Sequence, residues 1–198
     1  MYGGGGGGDG GARAMEDERK AKIAQGRSDI DSTFSGFNDD FYNQRAADFT
    51  KFATPTFSDQ YAKAKNSLAA NLARRGLMGG SAAIRGQTDL DKYAGQKQRE
   101  IADEGLGQAN KLRGEVENQR SNITNQLIAS GDPSAASASA ISGANTLRKP
   151  GSFGALGNFF NDWTQTYRAN QEARAVDPNV QPLFSFGRPQ RGSQSLVK

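Results

Sequence analysis

The amino-acid sequence predicts an all-α fold, an elongated helical hairpin that assembles as an oligomer, and three observations lead there. Residues 73–83 read Ala-Arg-Arg-Gly-Leu-Met-Gly-Gly-Ser-Ala-Ala, between two long, weakly apolar stretches of helix-forming residues. Gly76 suits a left-handed helix cap, Gly79 and Gly80 supply a turn, and Ser81 suits the start of the next helix, so the chain reverses here and returns alongside itself. Second, apolar residues recur at threes, fours and sevens on both sides of this turn, which is the spacing of one helical face. Third, hydrophobic residues make up only 35% of the 198, and glycine numbers 25. A chain of this kind buries little apolar surface against an ordering cost of about 1–2 kcal/mol per residue, so neighbouring chains are expected to complete its core.

The elements follow in order. Residues 1–13 contain Gly3, Gly4, Gly5, Gly6, Gly7, Gly8, Gly10 and Gly11 and read as a flexible leader. They lack the Lys-Ser/Thr ending of a phosphate loop. Residues 14–130 form the hairpin region. Its first helix is expected over residues 14–52, with Ile23, Ile30, Phe34, Phe37, Phe41, Phe49 and Phe52 on one stripe and Asp29, Asp31, Asp39 and Asp40 on a solvated opposite face. Gly26 and Gly36 weaken it locally. Thr54-Pro55 is expected to end it, because proline disfavours helix at the residue before it and lacks the donor.

A second helix, capped by Thr56 or Ser58, then carries Phe57, Tyr61, Leu68 and Leu72 to Arg75. The third is expected over residues 82–129, with Ile101, Leu112, Val116, Ile123 and Leu127 in a narrow seam that also holds Gly105 and Ala109. Gly131-Asp132-Pro133 closes it, and residues 131–151, rich in Ser and Ala, read as a linker or a short, weak helix.

Residues 152–175 are expected to form an amphipathic helix. Phe153, Leu156, Phe160, Trp163 and Tyr167, spaced three, four, three and four, would give it a continuous aromatic face. Such a face can pack on the chain's own hairpin, dock on another subunit or lie on a membrane surface. We take it as the main partner-binding surface, while the shortage of lysine opposite weakens the membrane reading. Residues 176–198, with Pro182, Phe184, Phe186 and Pro189, read as an extended tail lying along a partner.

Composition excludes more chemistry than it suggests. With no His and no Cys, imidazole bases, thiolate nucleophiles, the usual zinc sites and disulfides are absent, and neither cofactor nor metal is expected. The net charge of +4 is interspersed along the chain, so no specific nucleic-acid binding is expected; Arg188, Arg191 and Lys198 make only a sparse basic tail. No run approaches the ~20 apolar residues of a membrane-spanning helix. The first residues lack a signal peptide's apolar run, so export is not expected. Gly151, Gly154 and Gly157 imitate part of a dinucleotide fingerprint, but no strand precedes them.

The order of these parts, a glycine-rich leader, polar helices, Tyr61-x6-Leu68-x3-Leu72, the turn Arg75-Gly76-Leu77-Met78-Gly79-Gly80-Ser81-Ala82 and a Gln-rich return helix through Tyr93, resembles the internal virion proteins of short-tailed bacteriophages, called ejection or DNA-transfer proteins. The similarity covers mainly residues 1–130, and the turn is its most specific element. The resemblance implies a non-enzymatic protein packed inside the capsid near the portal, released with the genome and contributing to a conduit across the host envelope. Its implied partners are further copies in a ring, the portal or tail, other internal virion proteins and the envelope. Members often carry an apolar glycine/alanine segment near the C terminus, whereas this chain has only its short aromatic face. A permanent head-to-tail connector, a portal-bound accessory subunit or an assembly scaffold is the alternative expectation.

Overall fold

A computed structural model describes residues 9–149 and 153–176. All regular elements among them are α-helices: α1 (Asp9–Phe34), α2 (Asp39–Arg74), α3 (Ser81–Ser130), α4 (Pro133–Arg148) and α5 (Asn161–Val176). The chain divides into two compact units, Met1–Phe52 with Ile101–Gly154 and Ala53–Glu100 with Ala155–Lys198. None of the helices among the described residues is long and apolar enough to cross a membrane.

The helix ends follow local chemistry. Asn38 caps α2, its Oδ1 accepting the Phe41 N–H at 3.0 Å, and Asp39 and Asp40 in the first turn complement the positive end of the helix dipole. Between α2 and α3, Gly76 takes φ +68°. Its N–H donates to Ala73 O at 3.0 Å, and that of Leu77 donates to Leu72 O at 2.9 Å. This pair of bonds satisfies the last carbonyls of α2 and requires a left-handed residue at Gly76, as the sequence predicts. Asp132 caps α4 by accepting from Ser134 N and Ala135 N, with Pro133 as the first helical residue. A hydrogen bond from the Ser134 hydroxyl, followed by these two backbone bonds, holds the Asp132 carboxyl below its ordinary pKa.

In the first unit, α3 is the element the others share. Asp31 of α1 accepts from Arg120 of α3 at 2.7 Å, while a Cβ built on Gly26 would lie 2.8 Å from the Leu127 side chain. The two helices are therefore antiparallel. On the neighbouring stretch of α3, Asp39 of α2 pairs with Arg113, and a Cβ on Gly105 would lie 2.7 Å from Ala46 O. Thus α1 and the first part of α2 follow one another along the same partner. The α4 helix packs parallel to α1, with Pro133 near Gly26 and Arg148 donating to Thr33 O at 3.3 Å. Its buried face is small, consisting of Ala136, Ala140 and Ala144, and this lets α4 approach closely. Arg45 of α2 donates to the carbonyls of Arg148 and Lys149 and so caps the far end of α4. The resulting core joins Ile30, Phe34, Tyr42, Val116, Ile123 and Leu127.

Buried positions on the long helices recur at intervals of eleven. On α3 they are Ala94, Gly105, Val116 and Leu127; on α2 they are Tyr42, Ala53 and Ala64, beside Ala46, Phe57 and Leu68. Eleven residues in three turns is about 3.67 per turn, so the buried stripe stays nearly parallel to the helix axis.

Several expectations need correction. The stretch expected as one helix over residues 14–52 is broken at residues 35–38, where Gly36 and the Asn38 cap stop one helix and start another. Pro55 does not end a helix: α2 runs through it. Pro55 and Lys51 are both exposed, so water can satisfy the Lys51 carbonyl that proline leaves without a donor. Burial of Ala53 and Phe57 on either side offsets a cost of about 3 kcal/mol. The leader was bounded at residue 13, yet α1 begins at Asp9; the preceding glycines lie outside the described residues. Of the two readings of residues 131–151, a linker or a short helix, the second is the one observed, as the capped helix α4. Asp31 and Asp39 are exposed, as expected of a solvated face, but both reach across to arginines of α3.

The contact at Gly105 makes a prediction of opposite signs. Gly105→Ala drives a Cβ against a backbone oxygen and should destabilise the protein by about 1–3 kcal/mol. At Gly114 a Cβ meets nothing within 4 Å, and Gly114→Ala should stabilise by up to about 1 kcal/mol. Urea denaturation followed by circular dichroism reads both; equal effects would remove Gly105 as the point of close approach.

Candidate contact surface

The second unit holds Phe160, Trp163 and Tyr167, three of the four aromatic residues expected on the partner-binding face. Before α5 the chain runs non-helical from Phe153 to Asn158 and is fastened to α2 by Gln60, whose Nε2 donates to Gly157 O at 3.2 Å while its Oε1 accepts the Phe159 N–H. Asn158 Oδ1 accepts the Phe160 N–H at 3.1 Å, and Phe160 O accepts the Thr164 N–H at 3.0 Å as the first turn of α5 forms. These bonds deliver Phe160 into a ring cluster at centroid distances of 5.5 Å from Phe57, 5.9 Å from Tyr61 and 5.8 Å from Tyr93.

Trp163 stacks on Tyr167 at 5.0 Å, and Tyr167 lies over Gly86, where a Cβ would come within 2.9 Å of its hydroxyl. Thus α5 covers one face of the pair formed by the later part of α2 and the early part of α3. It runs from the Phe57 level toward the turn, where Arg168 shares a small pocket with Asn71, Leu72 and Arg75.

The aromatic face expected over residues 152–175 is therefore reorganised. Phe153 and Leu156 precede the helix, because Gly154, Gly157 and Asn158 favour an irregular approach and the Gln60 bonds hold it. Phe153 belongs to the first unit, where it packs edge-on to Phe49 at 5.2 Å and tilted against Phe52 at 5.2 Å. Phe160 and Trp163 retain only 2% and 1% exposure, while Leu156 and Tyr167 are half-buried. The expected partner-binding surface is, for its two central residues, a packing face within the chain. Trp163 Nε1 finds no acceptor among the described residues, a cost of about 1–3 kcal/mol that burial of the large ring offsets.

The polar contact that the sequence reading missed lies nearby. The Tyr61 hydroxyl donates to Asp91 Oδ1, which also accepts from Gln87 Nε2 at 2.7 Å. The Asp91 hydrogen bond, with burial second, raises the Tyr61 pKa from 10.0 to about 12. Its sequence signal was a Gln-x3-Asp pair on the return helix, but only the turn's length places that pair opposite Tyr61.

At the turn itself Gly76, Gly79 and Gly80 sit where the sequence puts them. Beside them is an open groove lined by apolar Leu68, Ala69, Leu72, Met78, Ala83 and Ile84 and by polar Lys65, Gln87 and Thr88, with Met78 at 59% and Ile84 at 70% exposure. None of its lining comes from α5.

Among the described residues no group of three or more acidic side chains is placed to hold a metal ion. No family model matches the chain, and no curated protein or solved structure is significantly similar to it.

Two measurements check this arrangement. Trp163→Ala should cost about 3–5 kcal/mol of stability, with Trp163→Phe costing less than half as much. For Tyr61, a folded-state pKa raised above the unfolded one means that its contribution is complete below pH 10 and is lost as pH rises toward about 12. Stability should fall across that window, and the fall should be smaller in Tyr61→Phe; the same fall in both proteins would detach it from this hydrogen bond.

Proposed function

We propose that this chain is an internal virion protein of a short-tailed bacteriophage, held inside the capsid near the portal, ejected with the genome and contributing to the conduit that delivers DNA across the host envelope. The observation that carries this reading is the glycine-capped reversal between α2 and α3, two long polar helices with one narrow apolar stripe each. It coincides with the segment on which the resemblance to ejection proteins rests. The physical properties of such helices suit the task. No polar or charged side chain is buried among the described residues, so undoing the tertiary contacts strands no desolvated charge, and each helix gives up only a thin seam. A protein that must leave a capsid through a channel benefits from both.

In this reading adjoining copies in a ring supply the burial that one chain lacks. Leu106 and Ile141, each 51% exposed, are apolar side chains that neighbours would cover. The portal, the tail and other internal virion proteins are the other partners. Envelope contact belongs to the assembled conduit, and catalysis has no part in this proposal.

Quantitative mass spectrometry of purified particles, before and after triggered genome release, tests it. Peptides of this chain should be present before release and lost afterwards relative to the major capsid protein. Retention would make the chain a permanent connector or portal-bound accessory subunit. Absence from finished particles would make it a scaffold or end the phage reading.

A further inference from the structure

We propose that the tip of the α2–α3 hairpin docks on an anionic lipid surface, with Met78 and Ile84 entering the membrane interface and the basic residues behind them meeting the headgroup phosphates. This concerns the chain's own surface and stands or falls separately from the particle assignment. Two independent observations meet at this end of the second unit. The first is charge: residues 61–88 contain Lys63, Lys65, Arg74, Arg75 and Arg85 and not one Asp or Glu, and all five basic side chains are exposed. Arg168 of α5 joins Arg75 at one pocket, and the remainder of that helix adds one Glu and one Arg, which cancel.

The second observation is apolar. Met78, between the helices, is 59% exposed, and Ile84, in the first turn of α3, is 70% exposed. Arg74 ends α2, Arg85 directly follows Ile84, and Lys65 lines the open groove together with Met78 and Ile84. Gly76 holds the turn at φ +68°, and a Cβ on Gly79 or Gly80 would meet nothing within 4 Å, so the tip carries no bulk that would keep a surface away. At a membrane interface apolar side chains enter to a depth of about 5–10 Å, while long basic side chains keep their charged ends at the phosphate level.

Charge alone would suit the phosphates of a nucleic acid equally. The apolar pair decides between them, because a duplex backbone leaves Met78 and Ile84 in water, whereas a bilayer interface removes them from it. Each basic residue close to an anionic surface is worth about a fivefold gain in partitioning, and the attraction fades within about 10 Å at 0.1 M salt. Arg74 and Arg85 together therefore supply about 25-fold.

Co-sedimentation of the purified full-length chain with vesicles tests this. Binding to phosphatidylcholine vesicles that contain phosphatidylglycerol should exceed binding to phosphatidylcholine alone by about tenfold or more and should weaken as salt is raised. Arg74→Gln with Arg85→Gln should lower it about 25-fold. Met78→Ser with Ile84→Ser, which leaves the charge unchanged, should lower it by about tenfold, with circular dichroism checking that both variants keep their helix. A fluorophore attached through Met78→Cys, in a chain with no other cysteine, should shift to the blue on the anionic vesicles, whereas one attached through Asp103→Cys should not. No preference for the anionic vesicles, or a label at position 78 that stays in water while the chain binds, would overturn the proposal. Undiminished vesicle binding by the Met78 and Ile84 double variant would overturn it too. Absence of vesicle binding, with a duplex DNA affinity lost in Arg74→Gln with Arg85→Gln and kept in the apolar variant, would assign the tip to nucleic-acid phosphates instead.

Discussion

Each long helix offers its neighbours fewer than one buried residue per turn, and α3 must hold that stripe against its partners at close range. Gly105 beneath the Ala46 carbonyl shows how close. A stripe this narrow cannot be compensated by bulk, so small residues at the contacts decide the outcome. Alanines let α4 lie on α1, and Gly86 lets the Tyr167 ring rest on α3. The ion pairs of Asp31 and Asp39 with Arg120 and Arg113 are exposed and add little to stability. Their use is to set which stretch of α3 meets which stretch of α1 and α2.

The two units solve the problem of a thin core differently. The first relies on aliphatic and small residues packed from four helices, with polar connections at its edges. The second relies on rings, with Phe160 brought into place by Gln60 and Asn158 before α5 begins. Large rings bury more area per ordered residue than alanines do, which suits the unit built from fewer helical segments. The short polar lead into α5 has the same purpose as a cap, fixing the angle at which an apolar residue enters the core.

The features legible in the sequence were those that depend on local chemistry or on a long repeat. The Gly76 cap needs only the backbone geometry that glycine allows, and the α3 seam from Ile101 to Leu127 repeats often enough to stand out. The breaks were harder. Asn38 was hidden inside a run of phenylalanines whose spacing continues across it, because α1 and α2 follow the same partner. Pro55 signalled an end that burial on both sides overrode. Ser/Ala richness left α4 undecided between a linker and a short helix, because its apolar face consists of methyl groups. The aromatic residues were found, yet their grouping depends on Gln60, nearly a hundred residues earlier in the chain. No periodicity in residues 152–175 contains that contact.

The eleven-residue interval makes helix length an adjustable quantity. Because three full turns return each side chain to almost the same direction, a block of eleven added to α2 and matched by eleven in α3 would leave every other residue facing the neighbour it has now. A hairpin of this type can therefore lengthen or shorten in steps of about 16 Å without redesign of its seam. Reach along its axis is then set by the number of blocks, and evolution could change it by duplication or deletion alone.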